Sequence, residues 1–224
     1  MGYYVDLKSI SIDKYKDILK STELIPSWKV LEENIDENLD VIKRLNIKNL
    51  DELSTAIKSK QDIKMLSEKS GLPEKYLEVL KRVVNGYKQK PNRIKDFSCV
   101  TDDTIVKLEK LGIKNTLKLY EMILTADKRD ELSKNTGIDK SKILKLAKLT
   151  DLSRIRWVNH TFAYVLMESG YDTVEKVAKA DYKKLYTTIK QLNEERKIYN
   201  AHIGERDMKM VIESAQELDT EIEY

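Results

Sequence analysis

Arg154, Arg156, Trp157, Asn159 and His160 concentrate more chemistry in a short stretch than any other segment of this chain. Two guanidiniums, an indole and an imidazole on one loop offer phosphate contacts and a stacking platform for a base. The competing reading packs Trp157 into a core and leaves the arginines solvated or ion-paired. A second basic feature runs from Lys81 to Lys118, where ten Lys and Arg residues face four acids. Lys107 and Lys110 lie within it and would contact phosphates without sequence preference, with strong salt dependence. Its plainer alternative is a solvated helical surface in a lysine-rich protein.

Little else points to a reaction. His160 and His202 are far apart in sequence, and no glycine-rich phosphate loop, HExxH or GxSxG occurs. Cys99 beside Val100 reads as a small buried apolar residue. One cysteine and two histidines exclude a disulfide framework and a cysteine-based zinc site. The expectation is therefore a chain with no catalytic residue, no metal and no cofactor.

These side chains need elements to hold them. The chain has 224 residues, enough for one large domain or two small ones, with 41% apolar and 35% charged residues. Lys and Arg number 41 against 38 Asp and Glu, and that near-balance argues against a polycation built to wrap nucleic acid. Seven glycines and three prolines leave few turns, so helix should dominate. No apolar run reaches membrane-spanning length. The start, Met1-Gly2-Tyr3-Tyr4-Val5-Asp6, has no basic segment leading into an apolar one, and Asp6 breaks the myristoylation pattern. A cytoplasmic location is expected.

Residues 31–85 align with 97–151 without a gap. Leu45-Asn46-Ile47-Lys48-Asn49 lies over Leu111-Gly112-Ile113-Lys114-Asn115, and Ser70-Gly71-Leu72 over Thr136-Gly137-Ile138. A third, partial copy places Ser169-Gly170-Tyr171-Asp172-Thr173 over Leu111 to Asn115. Matching apolar and glycine positions are what repeats with one packing scheme retain. In each copy, apolar residues at helical spacing (Leu39, Ile42, Leu45; Ile105, Leu108, Leu111; Phe162, Val165, Leu166) predict a helix. A tight turn follows, with Asn46, Gly112 or Gly170 suited to the left-handed C-cap and Ile47, Ile113 or Tyr171 as its plug. Asn49, Asn115 and Thr173 then cap a second helix. Further helices are predicted from Asp13 to Lys20 and from about Glu205 to Leu218. Polar residues 85–92, with Gly86 and Pro91, read as a linker. The last dozen residues carry five acids and no base and are expected to fray.

The phrases Leu152-Ser153-Arg154-Ile155-Arg156-Trp157-Val158-Asn159-His160, Gly170-Tyr171-Asp172-Thr173-Val174 and Ile212-Glu213-Ser214-Ala215-Gln216-Glu217-Leu218 carry a family likeness. From about 94 to 218 the chain resembles an uncharacterised bacterial "domain of unknown function" family of the helix-hairpin-helix superfamily. With residues 31–85 as another copy, the resemblance covers most of the chain. It implies an all-α fold of tandem helix-hairpin-helix-like (SAM-like) units, elongated or two-lobed, and implies no activity. The expected domains are 1–88, an N-terminal helix with the first unit, and 89–224, the other two units with the C-terminal helix.

Nucleic-acid-binding members of that superfamily have a Gly-hydrophobic-Gly hairpin, where backbone N–H groups hold a phosphate. The equivalent residues here are Glu33-Asn34-Ile35, Cys99-Val100-Thr101 and Trp157-Val158-Asn159, without a glycine in any of them. Acids crowd the first two, Glu33, Asp36 and Glu37 in one and Asp102 and Asp103 in the other. A phosphate there would meet like charge at short range. The leading expectation is a noncatalytic helical scaffold that binds another protein, in an oligomeric state the sequence does not define. The alternative is weak, sequence-nonspecific DNA or RNA binding through Arg154, Arg156, Trp157, Asn159, His160, Lys107 and Lys110.

Overall fold

Side-chain caps open most of the helices. In the computed structural model, which describes residues 2–224, they run α1 Ile12–Ser21, α2 Ile35–Arg44, α3 Leu50–Ala56, α4 Lys60–Ser70, α5 Glu74–Gly86, α6 Asp102–Lys110, α7 Thr116–Tyr120, α8 Ala126–Thr136, α9 Lys140–Leu152, α10 His160–Glu168, α11 Val174–Ala178, α12 Tyr182–Arg196 and α13 Glu205–Gln216. Short 3-10 turns occur at Leu7–Ser9, Pro26–Glu32 and Ile94–Asp96. Among the described residues the only β pairing is two isolated bridges, Ser11 with Asn49 and Arg93 with Asn115. The fold is all-α.

The side chains of Asn49, Asn115 and Thr173 accept from the backbone N–H of Glu52, Lys118 and Lys176, so each satisfies an orphan donor at a helix start. Before them, Asn46, Gly112 and Gly170 take φ of 65°, 76° and 85°. Glycine adopts that left-handed geometry freely, and asparagine is among the few other residues that tolerate it. The turn buries Ile47 and Ile113, while Tyr171 stays half-buried. Leu45 and Leu111, expected on the packed helix faces, are instead 36% and 48% exposed. Each lies just past its helix end, where the chain turns away from the core.

The chain divides into two compact units, Asp6–Lys88 and residues 2–5 with Gln89–Tyr224. In the first, α1 packs on α2, and α5 on the Pro26–Glu32 turn. Tyr15, Leu31, Leu39, Ile42, Leu50, Leu53, Leu77 and Leu80 form its interior. Two cross-helix ion pairs border it, Lys16 Nζ to Asp40 Oδ1 at 2.5 Å and Lys43 Nζ to Asp13 Oδ2 at 2.6 Å. The bonded ammonium groups hold both carboxyls below their ordinary range. A depressed carboxyl stabilises the fold above its unfolded pKa of about 3.9, and the contribution disappears as pH falls through the folded value. The urea midpoint of this unit, read by Trp28 fluorescence with Trp157→Phe in the background, should fall below about pH 4. Asp13→Asn with Asp40→Asn should flatten that fall.

The second unit has two core clusters. Tyr3, Leu108, Leu119, Tyr120, Ile123, Ile143 and Leu146 belong to one, and Phe97, Leu152, Ile155, Val158, Leu166, Leu185 and Met208 to the other. Helix α9 supplies both, through Ile143 and Leu146 to the first and Leu149 and Leu152 to the second. Helix α13 packs on α11 and α12.

Three expectations change here. Residues 2–5 lie with the second unit, because Tyr3 is buried against Tyr120 and its hydroxyl hydrogen-bonds Thr116 Oγ1 at 2.6 Å. The supposed linker is largely fixed: Gly86 ends α5, Tyr87 is buried, and Gln89 and Asn92 bond into the second unit. The acidic tail is docked, with Leu218 and Ile222 buried, Glu223 N–H donating to Leu124 O at 2.8 Å and Tyr120 Oη donating to Glu221 at 2.7 Å. Two apolar anchors four residues apart outweigh the charge that composition alone emphasises.

Candidate docking cleft beside Trp157

Between α9 and α10 the chain bends through Ser153 to Asn159, and this turn separates the five clustered side chains. Arg154 points inward, its side chain 1% exposed beside Asp151 at 2.9 Å. It donates to the carbonyls of Tyr3 at 3.2 Å and Asp219 at 2.8 Å, and lies 4.9 Å from the Tyr120 ring centroid. Burial raises the Asp151 carboxyl, while the Arg154 charge and the Val174 amide, donating at 2.9 Å, pull it back. Arg154 is a structural node joining the two ends of the unit, with no face left for a phosphate. The sequence offers Arg154 as a phosphate contact; here its side chain is buried and its donors are taken by Asp151 and the Tyr3 and Asp219 carbonyls.

Arg156 is engaged as well. Its Nη2 donates to Glu217 Oε2 at 2.6 Å and its backbone N–H to Ser214 Oγ at 2.9 Å, and the guanidinium stands 4.9 Å from the Trp157 ring centroid. Asn159 caps α10 by accepting from Phe162 N–H at 2.9 Å. His160 opens that helix edge-on to Phe97. Lys107 pairs with Asp103 at 2.8 Å on α6, and Lys110 is exposed at the end of the same helix. Among the described residues no hydrogen bond, ion pair or ring contact brings Lys107 or Lys110 to the turn.

Trp157 remains. The residue is 41% exposed, against the reading that packs it in the core. Its backbone has φ 66°, a left-handed conformation that bulky residues rarely adopt. The Gln89 side chain bridges the turn beneath it: Oε1 accepts from Trp157 N–H at 3.0 Å, and Nε2 donates to the carbonyls of Ser153 and Ile155, each at 2.8 Å.

The exposed indole borders a cleft of about 530 Å³. Phe162 of α10, Met208, Met210 and Val211 of α13, and Ile198 and Ile203 of the connecting segment line it. Asn159, Tyr199 and His202 add polar groups. The segment is pinned by Asn193, whose side chain pairs with both the N–H and the C=O of Tyr199. Gly204 is the N-cap of helix α13, and its N–H donates to Asp207 at 2.8 Å. Sequence reasoning found Trp157 and Asn159 but missed the opposite wall. Its only signal was the apolar Ile198, Ile203, Met208 and Val211, which reads equally well as core.

Cys99 is half-buried, and burial pushes its thiol up, opposite to an activated nucleophile. Among the described residues no group of three His, Cys, Asp or Glu side chains could hold a metal ion. No helix among them is long and apolar enough to cross a membrane.

An all-helical chain with a mixed apolar and polar cleft at the α9–α10 bend is the class this geometry defines. A family model matches residues 98–218, more than half of the chain, and the chain belongs to that family, DUF4332, a domain of unknown function. The matched stretch includes Trp157 and both walls of the cleft. No curated protein and no solved structure matches the chain.

Proposed function

We propose that the chain is a noncatalytic helical binding protein that takes an apolar segment of another protein into the Trp157 cleft. The carrying observation is the indole itself: it stays exposed beside a cleft of about 530 Å³ while its backbone holds a left-handed conformation. Such strain costs on the order of 1–3 kcal/mol and persists where the surroundings impose it, often at functional sites. Methionines in the wall suit a site that adapts to its ligand. Trp is also a frequent anchor of binding energy at interfaces.

The architecture we infer is a set of tandem helix-hairpin-helix-like copies. Its support is the recurring local geometry: left-handed residues at 46, 112 and 170, caps at 49, 115 and 173, and Ser67 and Ser133 each donating to the carbonyl five residues on, at 2.6 Å. A second reading, weak nucleic-acid binding, is favoured by the stacked Arg156–Trp157 pair. Burial of Arg154 and the pairing of Arg156 with Glu217 weigh against it.

Panning a random peptide library on the full chain tests the proposal. Selected peptides should share two or more apolar anchors and bind in the micromolar range. Trp157→Ala and Met210→Glu should each weaken them at least tenfold, a loss of about 1.4 kcal/mol. Failure to select any peptide, or indifference to both substitutions, refutes the docking reading. Labelled single- and double-stranded oligonucleotides at roughly 50 mM salt should show no anisotropy change at micromolar protein.

A further inference from the structure

Gln89 joins three backbone groups of the Ser153–Asn159 turn although it lies more than sixty residues away in sequence. Those groups are two acceptors, the Ser153 and Ile155 carbonyls, and one donor, the Trp157 N–H. A primary carboxamide offers two N–H donors and one acceptor in a single plane, which complements that arrangement. A carboxylate of the same shape has no donor and would face two carbonyl oxygens. The turn thus presents a carboxamide-specific site, filled from within the same unit. The residue it grips carries the exposed indole and the left-handed backbone.

We propose that Gln89 is the positioning residue of the cleft, a carboxamide latch that holds Trp157 left-handed and so sets the indole at the rim. The proposal rests on the cleft being the docking site, but the latch is read without any ligand. In a Trp28→Phe background Trp157 is the sole indole. Acrylamide quenching then reports its exposure, and backbone amide exchange by NMR reports its N–H.

Gln89→Met should speed Trp157 amide exchange at least tenfold and shift the quenching at every pH. Gln89→Glu should do the same at pH 7. As pH falls toward about 4, where a carboxyl protonates, the latch should re-form, because the neutral acid regains one O–H donor beside its acceptor. The sign follows from a carboxyl whose neutral form is the bonded one: its folded pKa is raised, so its contribution is present at low pH and lost as pH rises. The parent protein and Gln89→Met should lack this pH response, which a residue acting only by packing would not create. Peptides selected on the parent should bind Gln89→Met at least tenfold more weakly.

Unchanged Trp157 exchange and quenching in folded Gln89→Met, or a Gln89→Glu variant without the acid recovery, overturns the latch. Latch readouts that move while peptide affinity stays constant overturn the positioning role. If the parent selects no peptide, the docking reading fails, and with it the positioning role, while exchange and quenching still decide the latch.

Discussion

Arg154→Ala should destabilise the unit of residues 2–5 and 89–224 by about 3–5 kcal/mol, the cost of leaving one partner of a buried ion pair uncompensated. The Arg154 side chain is 1% exposed and that of Asp151 5%, so water cannot replace the lost partner without opening the core. The substitution also orphans the Tyr3 and Asp219 carbonyls and removes the cation from the Tyr120 ring. Burial keeps the Tyr120 hydroxyl protonated and a donor to Glu221, so Asp151 is left with the Val174 amide and the Tyr224 hydroxyl in place of a cation. Urea unfolding monitored by Trp157 with Trp28→Phe in the background measures the loss. Arg154→Met with Asp151→Leu, which removes both charges, should recover part of it, since a buried pair is often replaceable by apolar residues together. A loss under about 1 kcal/mol for Arg154→Ala would mean that the node is hydrated and holds nothing.

Phe97→Ala should cost the same unit about 3–5 kcal/mol, and Phe97→Leu about 1 kcal/mol. Phe97 is 1% exposed and belongs to the cluster with Leu152, Ile155 and Val158 beneath the Trp157 turn. Alanine leaves a void that the surrounding helices cannot fill, whereas leucine keeps most of the volume. The gap between the two variants separates the cavity from the mere loss of an aromatic ring. Similar costs for both would show that the edge contact with His160 matters more than the packing. Each is measured by the shift in urea midpoint at constant m-value.

Much of this architecture is legible in the sequence because helix signals are local. Asn49, Asn115 and Thr173 announce helix starts by side-chain chemistry that acts over three residues, and Gly112 and Gly170 announce turns by the backbone they allow. Helices α1 and α13 begin within one residue of the expected Asp13 and Glu205. The site is less legible, since the partners that decide it are distant in sequence. Nothing near Arg154 says that Tyr3 and Asp219 will occupy its donors, and nothing near Trp157 says that Gln89 will hold it.

The sequence by itself determined the all-helical class, the caps and turns, and the prominence of Trp157, because those depend on residues within a turn or two of one another. Only the tertiary structure decided which charged groups are buried, that the acidic tail docks through Leu218 and Ile222, and that the indole faces a cleft. Those outcomes depend on which surfaces meet when distant segments pack. A guanidinium has the same formula in water and in a core; what differs is whether anything else is left to hydrogen-bond it.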